Sequence, residues 1–495
     1  MENSFTFIDL FAGIGGFHIA LSNVGGECVG YSEIAQDAIE AYCKNFNESK
    51  EDNLGDITKL ETLPCHDFLT AGVPCQSWSC AGKKLGFDDQ RGQLWFNTLS
   101  LLETSKPKAF IFENVKGLTE PRNKDALEYI MNRIREAGYY ANIYILNAYD
   151  YGVPQARIRL YIVGFDDEKY YKRFKLGATC PGSVQLGDIL DDFRSNDTKI
   201  GNSVSLGQSL SSNEDGINDY FLFNDMRGGQ TTIHSWDIQE TTDREKSICN
   251  LLLKNRRKAY YGNLDGNPLS FEHFKELDET ITNDELEELV NKHIFRKVPY
   301  TYQIIDIGKT ETDFERLLTS LSIDDIIKVY DVKNNRAVKK TGINVVKQLS
   351  DMENKGIVKL VETRYDFKNA KASTGINGVN RIFLPTSKIY PTLVASDSAD
   401  YISTVGIEVG PPEAFKRKFL EKVYAPHNFR KITKEEACRI QSFPDNFILP
   451  ETRARWMKLL GNSVCPKVVQ MIAQSVVDTG IFKKKVNFTA QLRTF

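Results

Sequence analysis

The chain has 495 residues, of which 41% are apolar and 26% charged, with a formal net charge of −3. That length supports two or three domains with a large core, and no apolar run approaches the roughly 20 residues of a membrane span. The first residues lack the basic start and apolar core of a secretory signal, so a cytoplasmic protein without a membrane partner is expected.

Nine cysteines and six scattered histidines, with no C-x-x-C pair, argue against a disulfide framework and against any metal site. The slightly negative total charge counts mildly against a nucleic-acid partner. Binding needs only a local basic face, however, and clusters at 254–258, 415–418 and 483–485 offer one. Each also fits a solvated helix surface.

In chain order, residues 5–11 form an apolar run stopped by Gly13, the pattern of a strand buried on both faces. Helical spacing follows through Phe17, Ala20 and Leu21. Residues 28–31 predict a second strand and 35–46 a second helix. Further strands are predicted at 68–71, 109–112 and 160–163, with a helix over 126–137. This alternation predicts a doubly wound α/β domain with its ligand at the C-terminal ends of the strands. The pattern changes after Phe165. Residues 191–219 and 371–380 read as loops, and 243–298 as charged helices, so the middle of the chain is expected to form a second, irregular lobe. Thr433, with Glu436 in the capping-box position, starts a late helix. A last amphipathic helix covers 464–477, with Pro466 in its first turn.

Five segments carry chemistry. The first, residues 9–17, places Gly13, Gly15 and Gly16 between a strand and a helix, where backbone can approach a ligand closely. His18 stands where a dinucleotide fold wants a third glycine, which weakens a nicotinamide reading. Glu33, at the end of the second strand, suits ribose hydroxyls, and Asp56 suits an adenine amino group. A nucleoside cofactor without phosphates fits this set; so does a plain tight turn. The second segment, Gly72-Val73-Pro74-Cys75-Gln76, puts a cysteine on the ligand-binding edge, where an electropositive setting would populate its thiolate. In the third, Glu113 emerges from a strongly apolar strand, and burial would keep its carboxyl protonated. A charge-paired structural glutamate fits as well. In the fourth, Arg157 and Arg159 lie two apart at a strand start and share a face, suited to a base carbonyl or a phosphate or to a plain strand edge. The fifth, Gly461-Asn462-Ser463, is a turn before the last helix that could close the cofactor site.

Together and in this order, these segments resemble the DNA (cytosine-5)-methyltransferase family, of the bacterial restriction–modification type. The block 430–444 resembles the family's helix block before the closing turn. The likeness covers roughly the first 165 residues and the last hundred. It implies a Rossmann-like S-adenosylmethionine-dependent methyltransferase domain at 1–165 plus 459–482. A variable target-recognition region would span 166–387, the rest of the small lobe and a linking block 388–458, and a basic tail 483–495. It further implies Cys75 as nucleophile, Glu113 as acid, and Arg157 and Arg159 as catalytic partners. Cofactor contacts are implied for Phe11, Gly13, Gly15, Gly16, Phe17, Glu33, Asp56, Ile57, Pro74, Leu94 and Asn462. Double-stranded DNA would be the substrate, with Gln76, beside the nucleophile, and residues of the variable lobe as candidates to fill the hole left by the flipped base; separately, the mix of basic and aromatic residues over 254–261 places Arg256 and Arg257 on phosphates. A monomer with a cognate restriction endonuclease as functional partner is the corresponding expectation. Methylation of tRNA, an inactive nucleic-acid-binding module and a nicotinamide-dependent oxidoreductase are the rival readings. The long variable lobe, the intact cysteine and the glycine pattern, respectively, speak against them.

Overall fold

The computed structural model describes residues 4–74, 90–194, 217–370 and 374–483. They fall into two compact units: Met1–Tyr220 with Phe383–Pro411 and Glu421–Phe495, and Phe221–Ile382 with Pro412–Leu420. No helix among the described residues is long and apolar enough to cross a membrane.

The first unit is built on strands β1 (Phe5–Leu10), β2 (Gly26–Ser32), β3 (Phe68–Gly72), β4 (Ala109–Val115), β5 (Tyr140–Asn147), β6 (Gln155–Ala156) and β7 (Ile158–Phe165). Six of them form one sheet in the order β2-β1-β3-β4-β7-β5, while β6 pairs with Tyr390–Pro391. Neighbours from β2 to β4 run parallel, and β7 is antiparallel to both β4 and β5. Side chains alternate between two cores, as the strand repeat of two requires. Phe68, Ile111 and Val163 face one, with Phe17 and Leu21 of α1 (Gly16–Ser22). Leu69, Phe110 and Ile162 face the other, with Trp95 and Leu102 of α3 (Gln90–Ser105) and Ile130 of α4 (Lys124–Glu136). Helix α2 (Gln36–Phe46) follows β2. Both faces are therefore covered, which is why these strands read as continuous apolar runs.

The chain leaves β1 for β2 on one side and returns to β3 on the other. The carboxyl ends of β1 and β3 consequently flank a topological switch point, where α/β sheets bind ligands. Strand β5 has no counterpart in the sequence reading. It is an edge strand whose residues are mostly half-buried or exposed, so it lacks the apolar run that marks its neighbours.

Three late helices complete this unit: α5 (Lys434–Gln441), α6 (Arg453–Asn462) and α7 (Pro466–Asp478). The expected capping box starts α5: Glu436 N–H donates to Thr433 Oγ1 (3.1 Å), and Thr433 N–H to Glu436 Oε2 (2.8 Å). Pro466 occupies the first turn of α7, which packs on α1. The second unit holds helices such as Asp243–Asn255 and Asn283–Asn291 beside a three-stranded antiparallel sheet. Its long strands Phe295–Ile304 and Val358–Phe367 contribute to two separate small cores.

Candidate active site

A cavity of about 260 Å³ opens at the carboxyl ends of β1, β3 and β4. Its floor is the turn after β1. Phe11 and Gly13 both take left-handed backbone (φ 55° and 57°), an uncommon state for a phenylalanine and one that clusters at functional sites. Gly13 and Phe11 line the cavity; Gly15, Gly16 and Phe17 do not. Those three shape the loop from behind. A Cβ on Gly15 would lie 2.1 Å from the Phe46 ring, and one on Gly16 2.7 Å from Val464 Cγ2, while Phe17 is buried in the core. The glycine pattern thus serves packing as well as ligand approach.

One side of the cavity is acidic and apolar. Glu33 holds the turn through Gly13 N–H to Oε2 (2.9 Å) and accepts at Oε1 from the backbone of Ile34 and Ala35 (2.8 and 2.7 Å). Asp56 caps a short turn by accepting from Thr58 N–H at 2.9 Å. Phe11, Ile57 and Leu94 add apolar wall, and Asn462 closes it from the last position of α6; of the expected turn, Gly461 and Asn462 end that helix and Ser463 caps it. Ile34 was missed in the sequence. It lines the cavity yet is 74% exposed, a large apolar side chain left open beside a carboxylate. Its signal was its place directly after Glu33 at a strand end. Among the described residues, no basic side chain lines this end of the cavity beside the two acids, so an uncharged or cationic nucleoside suits it better than a phosphate.

The other side is chemical. Glu113 sits near the end of β4 and is 9% exposed, with Arg159 Nε at 3.1 Å from its Oε1. Burial pushes its carboxyl above the ordinary 4.5, against the pull of Arg159 and Arg157. The reversed direction of β7 brings the arginines here. In an antiparallel partner, Arg159 near the start of β7 lies opposite Val115 near the end of β4. Arg157 reaches the same cavity but has other partners. It donates to the carbonyls of Leu393 (3.1 Å), Gly461 (3.1 Å) and Ser463 (2.6 Å), and burial lowers its pKa to about 10. Asn114, the neighbour of Glu113, is fully buried and donates to Val73 O at 3.2 Å. It ties the end of β3 to β4 immediately before Pro74, which lines the cavity. Cys75 and Gln76 lie outside the described residues.

The family model for C-5 cytosine-specific DNA methylases matches residues 5–478. The chain belongs to that family. It is 36% identical to the Type II methyltransferase M.HgiBI of Herpetosiphon aurantiacus, over 97% of this chain and 99% of that protein. It is 30% identical to the Type II methyltransferase M.BanI of Aneurinibacillus aneurinilyticus, over 96% of each. With the Type II methyltransferase M.HhaI of Haemophilus parahaemolyticus it shares 40% identity over 39% of this chain and 58% of that protein. The enzyme is a DNA (cytosine-5)-methyltransferase of α/β fold.

Two further features of the methylase bear on its sequence reading. Arg256 is 3% exposed and paired with Asp366 at 3.0 Å, so its guanidinium is spent inside the second unit. That leaves Arg256 unavailable for the expected phosphate contact, while its neighbour Arg257 is exposed and lies 3.5 Å from Asp265. A buried amide network was also missed. Gln155 donates to Ile440 O and Gln441 Oε1 and accepts from Leu393 N–H, while Gln441 donates to Ser463 O. With Arg157 it locks the closing turn against β6. Gly461 is required there: a Cβ would lie 2.3 Å from the Val394 carbonyl carbon. The seven described cysteines are all free. Ligand atoms of His18, Cys28 and Glu48 lie within 4.8 Å of one another. Burial, however, pushes the Cys28 thiol to about 11, and His18 Nδ1 already bonds the Tyr42 hydroxyl at 2.8 Å.

Proposed function

We propose that the cavity holds S-adenosylmethionine and that Cys75 attacks a flipped-out cytosine whose N3 is met by Glu113. The observation that carries the reading is the buried Glu113–Arg159 pair, in the wall of a cavity whose lining runs to the residue before Cys75. Glu33 and Asp56 would take the ribose hydroxyls and the adenine amino group, with the nucleoside against Phe11, Ile34, Ile57 and Leu94 and beside Gly13, Pro74 and Asn462. Bound there, the cofactor supplies an electrophilic methyl on a sulfonium.

Cytosine carbon-5 is a weak nucleophile. Addition of the Cys75 thiolate to carbon-6 breaks the C5=C6 double bond and sends electron density toward N3. Glu113 gives its proton to N3 as that charge develops. Arg159 fixes the carboxyl and balances it once the proton has gone, acting in a site screened from water. Carbon-5 is then enamine-like and can accept the methyl group. Loss of the carbon-5 hydrogen as a proton and breakage of the C–S bond restore the ring and free Cys75. Arg157 serves as a positioning residue for the end of α6 that carries Asn462. The base must leave the stack for any of this; Gln76, beside the nucleophile, is the candidate to fill the gap, and residues of the variable region read the target. Arg257 is the phosphate contact of that lobe.

The names of the relatives support a role as the modification half of a restriction–modification system. In that role the chain is a cytoplasmic monomer, with a cognate endonuclease as functional partner. The test is methyl transfer: incubation with S-adenosylmethionine and unmethylated duplex DNA, digestion to nucleosides, and mass spectrometry for 5-methylcytosine. Modified duplex DNA, with the sites read by sequencing, is the expected result. 5-Methylcytosine in tRNA and none in DNA would overturn it.

A further inference from the structure

The second unit contains a module whose surface the catalytic reading leaves unused. Residues 328–347 carry six lysines and arginines against a single acid, Asp331, a net charge of +5 in a chain whose total is −3. Lys328 ends the short strand Ile326–Lys328, and the other five lie on two short helices, Val329–Asn334 and Arg336–Thr341, and on the start of a third, Val345–Asn354. These helices share one core: Val329, Val332, Val338, Val345, Leu349 and Met352 are all buried in it. The cations therefore occupy the remaining faces, and all six are exposed.

Their pairing is unlike that of the preceding helices. There, Arg244 bonds Asp278 and Glu285, Lys292 bonds Glu245, and Arg256 bonds Asp366. Among the described residues, no carboxylate lies within ion-pair distance of Lys328, Lys333, Arg336, Lys339, Lys340 or Lys347. An ordinary solvated face would intersperse acids among such residues. Holding six like charges together without them costs self-repulsion, which a polyanion would relieve.

The backbone adds geometry. Helix Arg336–Thr341 ends at Gly342, whose φ of 68° makes the turn, and Asn344 caps the next helix through the amides of Val346 and Lys347. The link is three residues long and contains a glycine, the connection used in helix–turn–helix units. In such units the start of the second helix faces nucleic acid and flanking residues hold phosphates. Here that start presents Ile343, Asn344 and Lys347 to solvent.

We propose that this module is a second duplex-DNA contact of the methylase, in which the cations of 328–347 hold backbone phosphates while the helix Val345–Asn354 lies against the duplex. It rests on the reading that the chain acts on duplex DNA. The test changes Lys333, Arg336, Lys339, Lys340 and Lys347 together to glutamine in the full chain. Equilibrium binding to a duplex extended two helical turns beyond the methylated site on each side is then measured over a salt series.

Each phosphate contact contributes about 0.9 to the slope of log affinity on log salt, so the slope should fall by about 2 to 4. Affinity should drop at least tenfold, with turnover at saturating DNA unchanged. A companion set with arginine at the four lysine positions keeps the charge and should keep the slope. An unchanged slope in a glutamine variant that melts at the wild-type temperature would overturn the proposal. Failure of the underlying reading would show separately, as absence of 5-methylcytosine from the wild-type reaction.

Discussion

Replacing Glu113 with glutamine separates the proposed acid from a merely structural glutamate. The substitution keeps the shape and a hydrogen-bond donor but removes the transferable proton. Loss of one well-placed group at a developing charge costs about 3 to 4 kcal/mol, or roughly 10² to 10³ in turnover. The ground state should change little. Burial raises the Glu113 pKa, so the folded chain holds this proton more tightly than the unfolded chain does. Its contribution to stability is complete below the ordinary carboxylate value and is lost as pH rises through the raised one. An amide mimics the protonated acid, and stability should stay within about 1 kcal/mol of wild type. Cofactor affinity, which the proposed reading assigns to the opposite wall, should stay within a few-fold. The assay is steady-state transfer of labelled methyl to duplex DNA across pH, with cofactor binding measured by calorimetry. Wild type should lose turnover on the alkaline side as Glu113 deprotonates, and the variant should lack that limb. Turnover within threefold of wild type, or an unaltered alkaline limb, would remove Glu113 as the proton donor.

Four other substitutions test neighbouring parts. Cys75→Ser should abolish product while leaving DNA binding intact by gel shift, because a hydroxyl is far less acidic than a thiol. Asn114→Leu strands the Val73 carbonyl in a dry interior. It should cost about 1 to 3 kcal/mol in denaturant unfolding and reduce turnover through the cysteine loop. Gly461→Ala pushes a methyl into the Val394 backbone and should weaken cofactor binding by calorimetry, at a strain of about 1 to 3 kcal/mol. Asp9 is buried near the end of β1, just before the glycine turn, accepts from Thr70 Oγ1 at 3.0 Å, and burial holds its pKa well above the usual range. It stabilises the fold when protonated and loses that contribution as pH rises, so Asp9→Asn should flatten the alkaline fall in melting temperature.

What could be read in the sequence divides along physical lines. Strands β1, β3 and β4 were legible because burial on both faces demands uninterrupted apolar residues, and the cap at Thr433 because a capping box is a local rule. Glu113 was visible as an acid leaving a strongly apolar strand, though the strand alone did not separate a functional carboxyl from a charge-paired structural one. The pairing of Arg159 with it was not derivable from spacing alone. That pairing depends on the antiparallel entry of β7, a choice of topology set by the edge strand β5, whose weak pattern left no trace. Arg157 shows the limit more sharply. Two arginines on one strand start read as one functional fork, yet one meets the carboxylate while the other binds three carbonyls contributed from more than 200 residues away. Arg256 and Arg257 divide too, one inward to Asp366 and one outward, where it lies 3.5 Å from the exposed Asp265. In each pair the sequence names a cation, and only the partner brought by the fold decides whether that cation is structural or functional. That is why the cations of 328–347 weigh more than basic residues chosen by sequence clustering: among the described residues no carboxylate is placed to take up their charge.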